Sequence, residues 1–471
     1  MSNRKLNLVK NTAIYALGSI GSKLLQVILV PYYTRAMSST EFGTADILQA
    51  IVAFLFPIVS LSIFDATFRY AMESDCDKNS VLSVGVAISL IGTVILCSAG
   101  ALITLIHPIE YLWLIIFNAL ANAFRTLYSQ YTRAIGKTAL FTLDNVLLTV
   151  YVLIFNIFFI SVLELGVTGY MLGYTLANAL SAVFLMLKLK KLAVVKFSFI
   201  KSRIMSQMLR FSIPLIPNAL CWCLATFGSR FLITFFIDES ANGLYAAAYK
   251  IPSLLSVIVT IFFQAWQISA NEEFKKNDIA EFYTEIHNQI FALIVIISSG
   301  LIVFCKPITA VFLGAEYQNE WVYIPILLIA MAFLSFSQFL ESIYTANKKT
   351  VMAFITSFIS VSINMTLSLF LIKPLGVAGC AVALAVSYFV LWICRIINTH
   401  KIIAIRYNIA TIVTAILILT AQTLLFFFRV PFASLVSSVG FVVLIILFAN
   451  TFKGLFLFAI DILRKIFKKE A

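Results

Sequence analysis

Charged side chains are scarce in this sequence: only 12% of its 471 residues are Asp, Glu, Lys or Arg, whereas 61% are hydrophobic. Soluble globular proteins carry roughly twice that share of charge. No polar stretch between the apolar segments is long enough to fold as a large soluble domain. The composition therefore excludes a soluble enzyme and predicts a polytopic membrane protein.

The sequence also lacks the residue clusters that carry catalysis or metal binding. Its three histidines do not group, its seven cysteines are scattered, and Cys221-Trp-Cys223 has no second pair of ligands. There is no phosphate-binding glycine loop, no nucleotide-binding motif and no recognisable Ser/His/Asp grouping. We therefore expect no enzymatic activity, no bound metal and no cofactor, although transport could be coupled to H⁺ or Na⁺.

Long apolar runs dominate what is present. They predict an all-α bundle of about fourteen transmembrane helices, because a membrane barrel would show shorter segments of alternating polarity. The predicted spans are residues 11–36, 42–68, 80–106, 109–133, 138–162, 166–187, 208–236, 241–269, 283–304, 320–345, 350–372, 376–397, 404–427 and 431–450.

Basic residues outnumber acidic ones, 34 to 21, and most of them lie in alternate loops and near the two termini. The positive-inside rule then places both termini in the cytoplasm and supports an even number of helices. The formal net charge of +13 is consistent with anionic inner-leaflet lipid and does not indicate a nucleic-acid partner.

An internal repeat divides the chain. Met37 to Ile51 aligns with Ile237 to Ile251, Gly136-Lys-Thr138 with Lys348-Lys-Thr350, and Leu165-Gly-Val-Thr-Gly169 with Leu375-Gly-Val-Ala-Gly379. The nearly constant offset predicts two parallel six-helix lobes, residues 1–200 and 201–400. Residues 401–450 add two helices, and residues 451–471 form a basic tail that suits an amphipathic helix on the cytoplasmic surface.

Away from the span ends, four basic residues fall inside the predicted spans, two in each lobe: Lys23, Arg125, Arg230 and Lys250. Each could reach a lipid headgroup or form a static ion pair; alternatively, it could line a polar cavity. Amide side chains share the same helical faces, and with the cations they make a set of candidate substrate-binding residues: Lys23, Gln26, Asn122, Arg125, Asn218, Arg230 and Lys250. Asp65 and Glu341 are candidates for gating or ion coupling. If these faces converge, the interior is net cationic and favours an anionic, oxygen-rich ligand.

Several segments resemble the polysaccharide transporter family, the Wzx-type flippases of the multidrug/oligosaccharidyl-lipid/polysaccharide superfamily. They are Ser38-Ser-Thr-Glu-Phe-Gly43, the helix through Phe68-Arg-Tyr70, Tyr245-Ala-Ala-Ala-Tyr-Lys-Ile-Pro252 and Gln264-Ala-Trp266. The resemblance covers roughly residues 1 to 450. One departure is Ile63-Phe-Asp65, where relatives commonly carry a Leu-Gly pair.

The resemblance implies a MATE-like, V-shaped bundle in the bacterial inner membrane. It also implies translocation of undecaprenyl-diphosphate-linked oligosaccharides, the precursors of O-antigen, capsule or exopolysaccharide, with the bilayer and polysaccharide assembly machinery as partners. The alternatives are a cation-coupled drug exporter, a flippase of the peptidoglycan precursor, and a membrane glycan polymerase or ligase. The last would need a long outer loop, and the longest predicted outer loop, Cys305 to Glu320, is short.

Overall fold

The computed structural model describes residues 29–73, 76–190, 195–273, 279–347 and 350–467, which are almost entirely helical. The chain forms two compact units, Met1–Ala246 and Ala247–Ala471. Ten helices of the described part are long and apolar enough to cross a membrane, and a further helix begins with the shorter apolar stretch Ala433–Ala449. The predicted all-α membrane fold is confirmed.

In the first unit, residues 29–36 are helical and precede the helices labelled here. These are α1 (Ser39–Val59), α2 (Ile63–Met72), α3 (Lys78–Ile106), α4 (Leu112–Ala134), α5 (Thr138–Asn156) with a π-helical end (Ile157–Val162), α6 (Gly166–Leu189), α7 (Ser202–Ser212), α8 (Leu215–Phe236) and the beginning of α9 (Glu239–Glu273).

The second unit contains the rest of α9 and seven further helices. They are α10 (Ile279–Val303), α11 (Cys305–Phe312), α12 (Ile324–Ala346), α13 (Thr350–Leu375), α14 (Val377–His400), α15 (Ile409–Phe427) and α16 (Ala433–Phe467).

Two spans that the sequence predicts as continuous helices are interrupted in the structure, so these two predictions are wrong in this respect. The span predicted at 42–68 breaks between α1 and α2, where Leu61 and Ser62 both adopt a φ of 48°. The span predicted at 208–236 breaks before α8, at Pro214. Proline cannot donate a helical hydrogen bond, which explains the second break, whereas left-handed backbone leaves no signal in hydrophobicity.

The last helix continues past residue 450, where the predicted last span ends. Helix α16 runs from Ala433 to Phe467 without interruption. The backbone therefore shows no helix end between the predicted last span and the described part of the basic tail.

Each unit has its own apolar core. In the first unit, Ile63, Val84, Leu127 and Leu185 from α2, α3, α4 and α6 are buried together. In the second unit, aromatic rings from α10, α12 and α14 stack on one another: the centroid of Phe336 lies 4.6 Å from that of Phe291 and 5.5 Å from that of Trp392. These cores hold the helices that carry the polar residues described below.

The repeat seen in the sequence is visible in the helix boundaries. Helices α1 and α9 begin at Ser39 and Glu239, and helices α5 and α13 begin at Thr138 and Thr350. Gly166 and Gly376, which enter α6 and α14, both have positive φ, 50° and 57°. Equivalent positions thus begin equivalent helices, although the division into lobes at residue 200 stays a prediction.

Within the first unit, α1 and the beginning of α9 cross at a pair of glycines. A Cβ on Gly43 would lie 1.7 Å from the carbonyl oxygen of Glu239, and a Cβ on Gly243 would lie 1.9 Å from that of Ser39. The hydroxyls of Ser39 and Ser240 are 2.7 Å apart. The contact is reciprocal, because Gly43 meets Glu239 and Ser39 meets Gly243. Positions 39 and 43 of α1 thus contact positions 239 and 243 of α9, which lie 200 residues later. Only glycine permits such an approach of two backbones.

Candidate functional site

Arg125 on α4 is held by a buried carboxylate on the next helix. Its Nη2 lies 2.8 Å from Oδ2 of Asp144 on α5, and the side chains of these residues are 13% and 0% exposed. Ser181 of α6 donates a hydrogen bond to the other carboxylate oxygen, and Arg125 also donates to Asn145. Both oxygens of Asp144 are therefore occupied, as a buried carboxylate requires.

Arg230 on α8 is held in the same way by a residue of α1. Its Nη1 lies 2.9 Å from Oδ1 of Asp46, and the two side chains are 5% and 8% exposed. The guanidinium also lies over the ring of Phe227, 5.0 Å from its centroid. Asp46 and Arg230 are 184 positions apart in sequence, so the pair ties α8 to α1 within the first unit.

These contacts match the static-pair alternative for Arg125 and Arg230. A paired arginine has its charge balanced by the partner carboxylate, so neither residue adds net positive charge to its surroundings. The role of these two arginines in substrate binding stays a prediction.

A polar cavity of about 220 Å³ lies inside the first unit. Amide side chains reach it from three helices: Gln49 of α1, Asn118 and Asn122 of α4, and Asn178 of α6. Its other lining residues are Leu29, Leu148, Thr149, Val152 and Tyr174. Of the predicted site residues, the structure places Asn122 in this cavity.

The cavity is next to the Arg125 network but is not lined by it. Asn122 lies about one helical turn before Arg125 on α4, and the Thr149 hydroxyl donates to the carbonyl oxygen of Asn145, 3.0 Å away. The described lining residues carry no charge. The arrangement therefore presents hydrogen-bonding groups to the cavity while the charges beside it are paired.

The other predicted residues are not gathered at this cavity by the described part of the structure. Lys23 and Gln26 lie outside the described residues, as does the side chain of Asn218 on α8. Lys250 is half-buried on α9, and Asp65 is half-buried in the first turn of α2, where the described residues give it no ion pair.

Glu341 is part of a buried network in the second unit. Its Oε2 lies 3.0 Å from Nη1 of Arg395, whose side chain is 1% exposed. Arg395 also donates to the Ser337 carbonyl oxygen at 2.8 Å and to the hydroxyls of Thr356 and Ser357 at 3.3 and 3.1 Å. Arg395 lies near the end of the span predicted at 376–397 and is not among the predicted site residues, whereas α14 continues to His400 and buries it.

Sequence reasoning also missed the partners and several lining residues. Asp46 and Asp144 lie within apolar runs, which indicates that each needs a polar partner but not which one. Gln49 and Asn178 carried a usable signal, since an amide in an apolar helix must find a polar environment. Among the described residues, there is no group of three or more His, Cys, Asp or Glu suited to a metal ion.

The polysaccharide biosynthesis protein family model matches residues 8–267. No curated protein matches the sequence significantly.

Solved structures share the fold at low sequence identity. The lipid II flippase MurJ in an inward closed conformation is 14% identical, with a TM-score of 0.66 over 94% of this chain and 100% of that one. An inward-facing multidrug resistance MATE family transporter of the MOP superfamily is 15% identical, with a TM-score of 0.61 over 81% of this chain and 98% of that one. A MOP superfamily transporter from Pyrococcus furiosus is 14% identical, with a TM-score of 0.61 over 84% and 96%.

Proposed function

This chain belongs to the polysaccharide biosynthesis protein family, and on that premise we propose that it is a flippase for undecaprenyl-diphosphate-linked oligosaccharides. It moves the head group from the cytoplasmic to the outer leaflet of the bacterial inner membrane, with both termini in the cytoplasm. The translocated lipid-linked oligosaccharide is the precursor of O-antigen, capsule or exopolysaccharide. The machinery that assembles these polymers takes it up on the outer side.

The observation that carries the proposal is the amide-lined cavity inside a unit built from apolar helices. A lipid-linked oligosaccharide has a hydroxyl-rich head group that cannot cross the hydrocarbon core unaided. A protein interior with uncharged donors and acceptors replaces the water that the head group loses. The polyprenyl tail needs no such replacement and stays in the lipid.

Transport by alternating access accounts for this division of the substrate. The head group enters the protein from the cytoplasmic side, the helices rearrange, and the head group leaves on the outer side. No bond is made or broken in such a cycle, so the protein needs positioning groups and no catalytic residues. Its driving force is an ion gradient, the membrane potential or consumption of the product outside.

Purified protein in liposomes tests the proposal. Fluorescent undecaprenyl diphosphate that carries an oligosaccharide is placed in one leaflet, and its appearance in the other leaflet is followed by accessibility to a membrane-impermeant quencher. We expect flipping that depends on the protein, with lipid II and polyprenyl phosphate as comparison substrates. A protein that flips lipid II but no other glycan carrier would make peptidoglycan precursor transport its function.

A second candidate function, cation-coupled drug export, is favoured by one observation. Such an exporter needs a buried acid in its amino-terminal part, and Asp46 and Asp144 are both buried there. Both are already paired with arginine, which makes them poor binding sites for a coupling cation. Drug sensitivity of a deletion strain that keeps its surface glycan would support this second function over the first.

A further inference from the structure

The cavity of the first unit leaves two amide donors poorly satisfied. Asn118 is 2% exposed, and its Nδ2 has no hydrogen-bond partner among the described residues. Among the described residues, the Nε2 of Gln49 donates only to the sulfur of Met171, at 3.7 Å, and a thioether is a weak acceptor. Buried donors without good acceptors are uncommon in folded proteins. Asn118 is such a donor, and Gln49 is a half-buried donor with a weak acceptor; a ligand in the cavity would supply both with oxygen acceptors.

The charge balance of the cavity selects an uncharged ligand. Its described lining residues are neutral, and the nearby Arg125 is held by Asp144 and Asn145. A diphosphate would need free cations, and a metal ion would need carboxylates. The unsatisfied groups are N–H donors, which repel a cation. Sugar hydroxyls fit better, because they accept and donate hydrogen bonds as amides do.

The size of the cavity restricts that ligand further. Its volume of about 220 Å³ is below the range of roughly 300–1,000 Å³ typical of pockets for drug-sized ligands. Tyr174 also lines the cavity, and its ring packs against that of Tyr170 at a centroid distance of 4.9 Å. An oligosaccharide or a drug would not fit whole, whereas a single ring matches both the size and the lining.

We propose that this cavity binds one uncharged sugar ring of the head group, and that Asn118 and Gln49 donate hydrogen bonds to its oxygens. This inference rests on the proposed function, because it takes the ring from a lipid-linked oligosaccharide. It separates two tasks: the cavity recognises sugar, and the diphosphate is bound elsewhere.

Competition binding in nanodiscs tests this separation. Fluorescent undecaprenyl diphosphate without sugar is the probe, and the competitors are undecaprenyl diphosphate alone and the same lipid bearing one hexose or one N-acetylhexosamine. The variants are Asn118→Leu and Gln49→Leu. The matched control is Asn398→Leu, an amide of α14 outside the cavity whose side chain donates to the Cys394 carbonyl oxygen.

We expect the wild-type protein to bind at least one sugar-bearing lipid more tightly than the bare lipid. Each cavity variant should weaken that competitor about threefold to tenfold, the size of one lost hydrogen bond, and leave the bare lipid unchanged. Asn398→Leu should change neither. Each variant is checked for its melting temperature, and Gln49→Leu decides the matter alone if Asn118→Leu does not fold.

The possible failures are distinguishable. If the wild-type protein binds neither the bare nor the sugar-bearing lipids, the proposed function fails and the sugar site fails with it. If it binds all of them equally, or if the variants weaken bare and sugar-bearing lipids alike, the sugar site is wrong while the proposed function stands. Variants that bind every lipid as the wild type does would make the cavity a water-filled feature of the fold.

Discussion

Arg230 and Asp46 form a buried pair whose partners depend on each other. Removing one partner of such a pair leaves an uncompensated charge in a dry environment, which costs about 3–5 kcal/mol. We expect Asp46→Ala to lower the melting temperature in detergent strongly, and the double variant Asp46→Ala/Arg230→Met to recover part of the loss. Melting curves of the single and double variants measure this coupling. If the two changes are simply additive, the residues do not stabilise each other.

Arg395 and Glu341 should differ in their importance, although they share one ion pair. Arg395 is 1% exposed and has four hydrogen-bonding partners, whereas Glu341 is 28% exposed. Glu341→Gln leaves the buried guanidinium with a neutral acceptor and with its bonds to Ser337, Thr356 and Ser357, so it should cost less than Arg395→Ala, which removes all four contacts at once and should destabilise by several kcal/mol. The order of the melting temperatures tests this, with the exposed Arg429→Ala as the control. Equal losses for Arg395→Ala and Glu341→Gln would contradict it.

The sequence could predict that the polar residues are buried but not which residues meet. Arg125 and Arg230 lie deep in apolar runs, so a paired or cavity-lining position was the physical expectation. Asp144 is only 19 positions from Arg125, within reach of neighbouring antiparallel helices, but Asp46 is far from Arg230 in sequence. Pairing at that distance depends on helix packing, which hydrophobicity does not specify. Asn122 lines the cavity together with Asn118, and the helical face that both share with Arg125 is what made Asn122 a candidate in the sequence.

At the scale of elements, the crossing of α1 and α9 depends on Gly43 and Gly243. Alanine at either position would place a Cβ within 2 Å of a backbone carbonyl oxygen, which cannot move away as a side chain can. We expect Gly43→Ala and Gly243→Ala each to separate the two helices and to lower the melting temperature sharply. The matched control is Gly300→Ala in α10, where the nearest atoms belong to the side chain of Phe441 at 3.4 Å. Gly43→Ala behaving like Gly300→Ala would show that the helices do not cross this closely.

Helix boundaries show why the sequence predicted some elements better than others. The spans predicted at 138–162 and 166–187 match α5 with its π-helical end and α6 closely, because Lys137 and Gly166 interrupt the apolar pattern there. The break at Leu61 and Ser62 was not predicted, since the run from Phe54 to Phe64 is apolar except for two serines. A left-handed backbone conformation at such residues is imposed by packing and has no periodic signal.

At the scale of the whole molecule, the repeat sets the same local geometry twice. Gly169 in α6 and Gly379 in α14 each approach the carbonyl oxygen of a preceding helix, with distances from an added Cβ of 2.9 Å to Phe159 and 2.2 Å to Leu371. Equivalent glycines in equivalent contacts explain why these short motifs persist where the surrounding sequence has diverged. The two units nevertheless bury different ion pairs, so the shared fold does not require shared chemistry.

The charge that crosses the membrane with the substrate is also a property of the whole molecule. Arg125 and Arg230 are each balanced by an aspartate, and as long as these pairs persist during transport the two arginines leave the diphosphate of the proposed substrate uncompensated. A potential that is negative on the cytoplasmic side then favours outward movement by about 2.3 kcal/mol per elementary charge per 100 mV. In liposomes, we expect a K⁺ diffusion potential that is negative on the side of the labelled lipid to raise the initial rate of flipping, and the opposite potential to lower it. Protein-free liposomes under the same potentials are the control. A rate that ignores both signs would mean that other charges of the protein or a coupled ion compensate the diphosphate during transport.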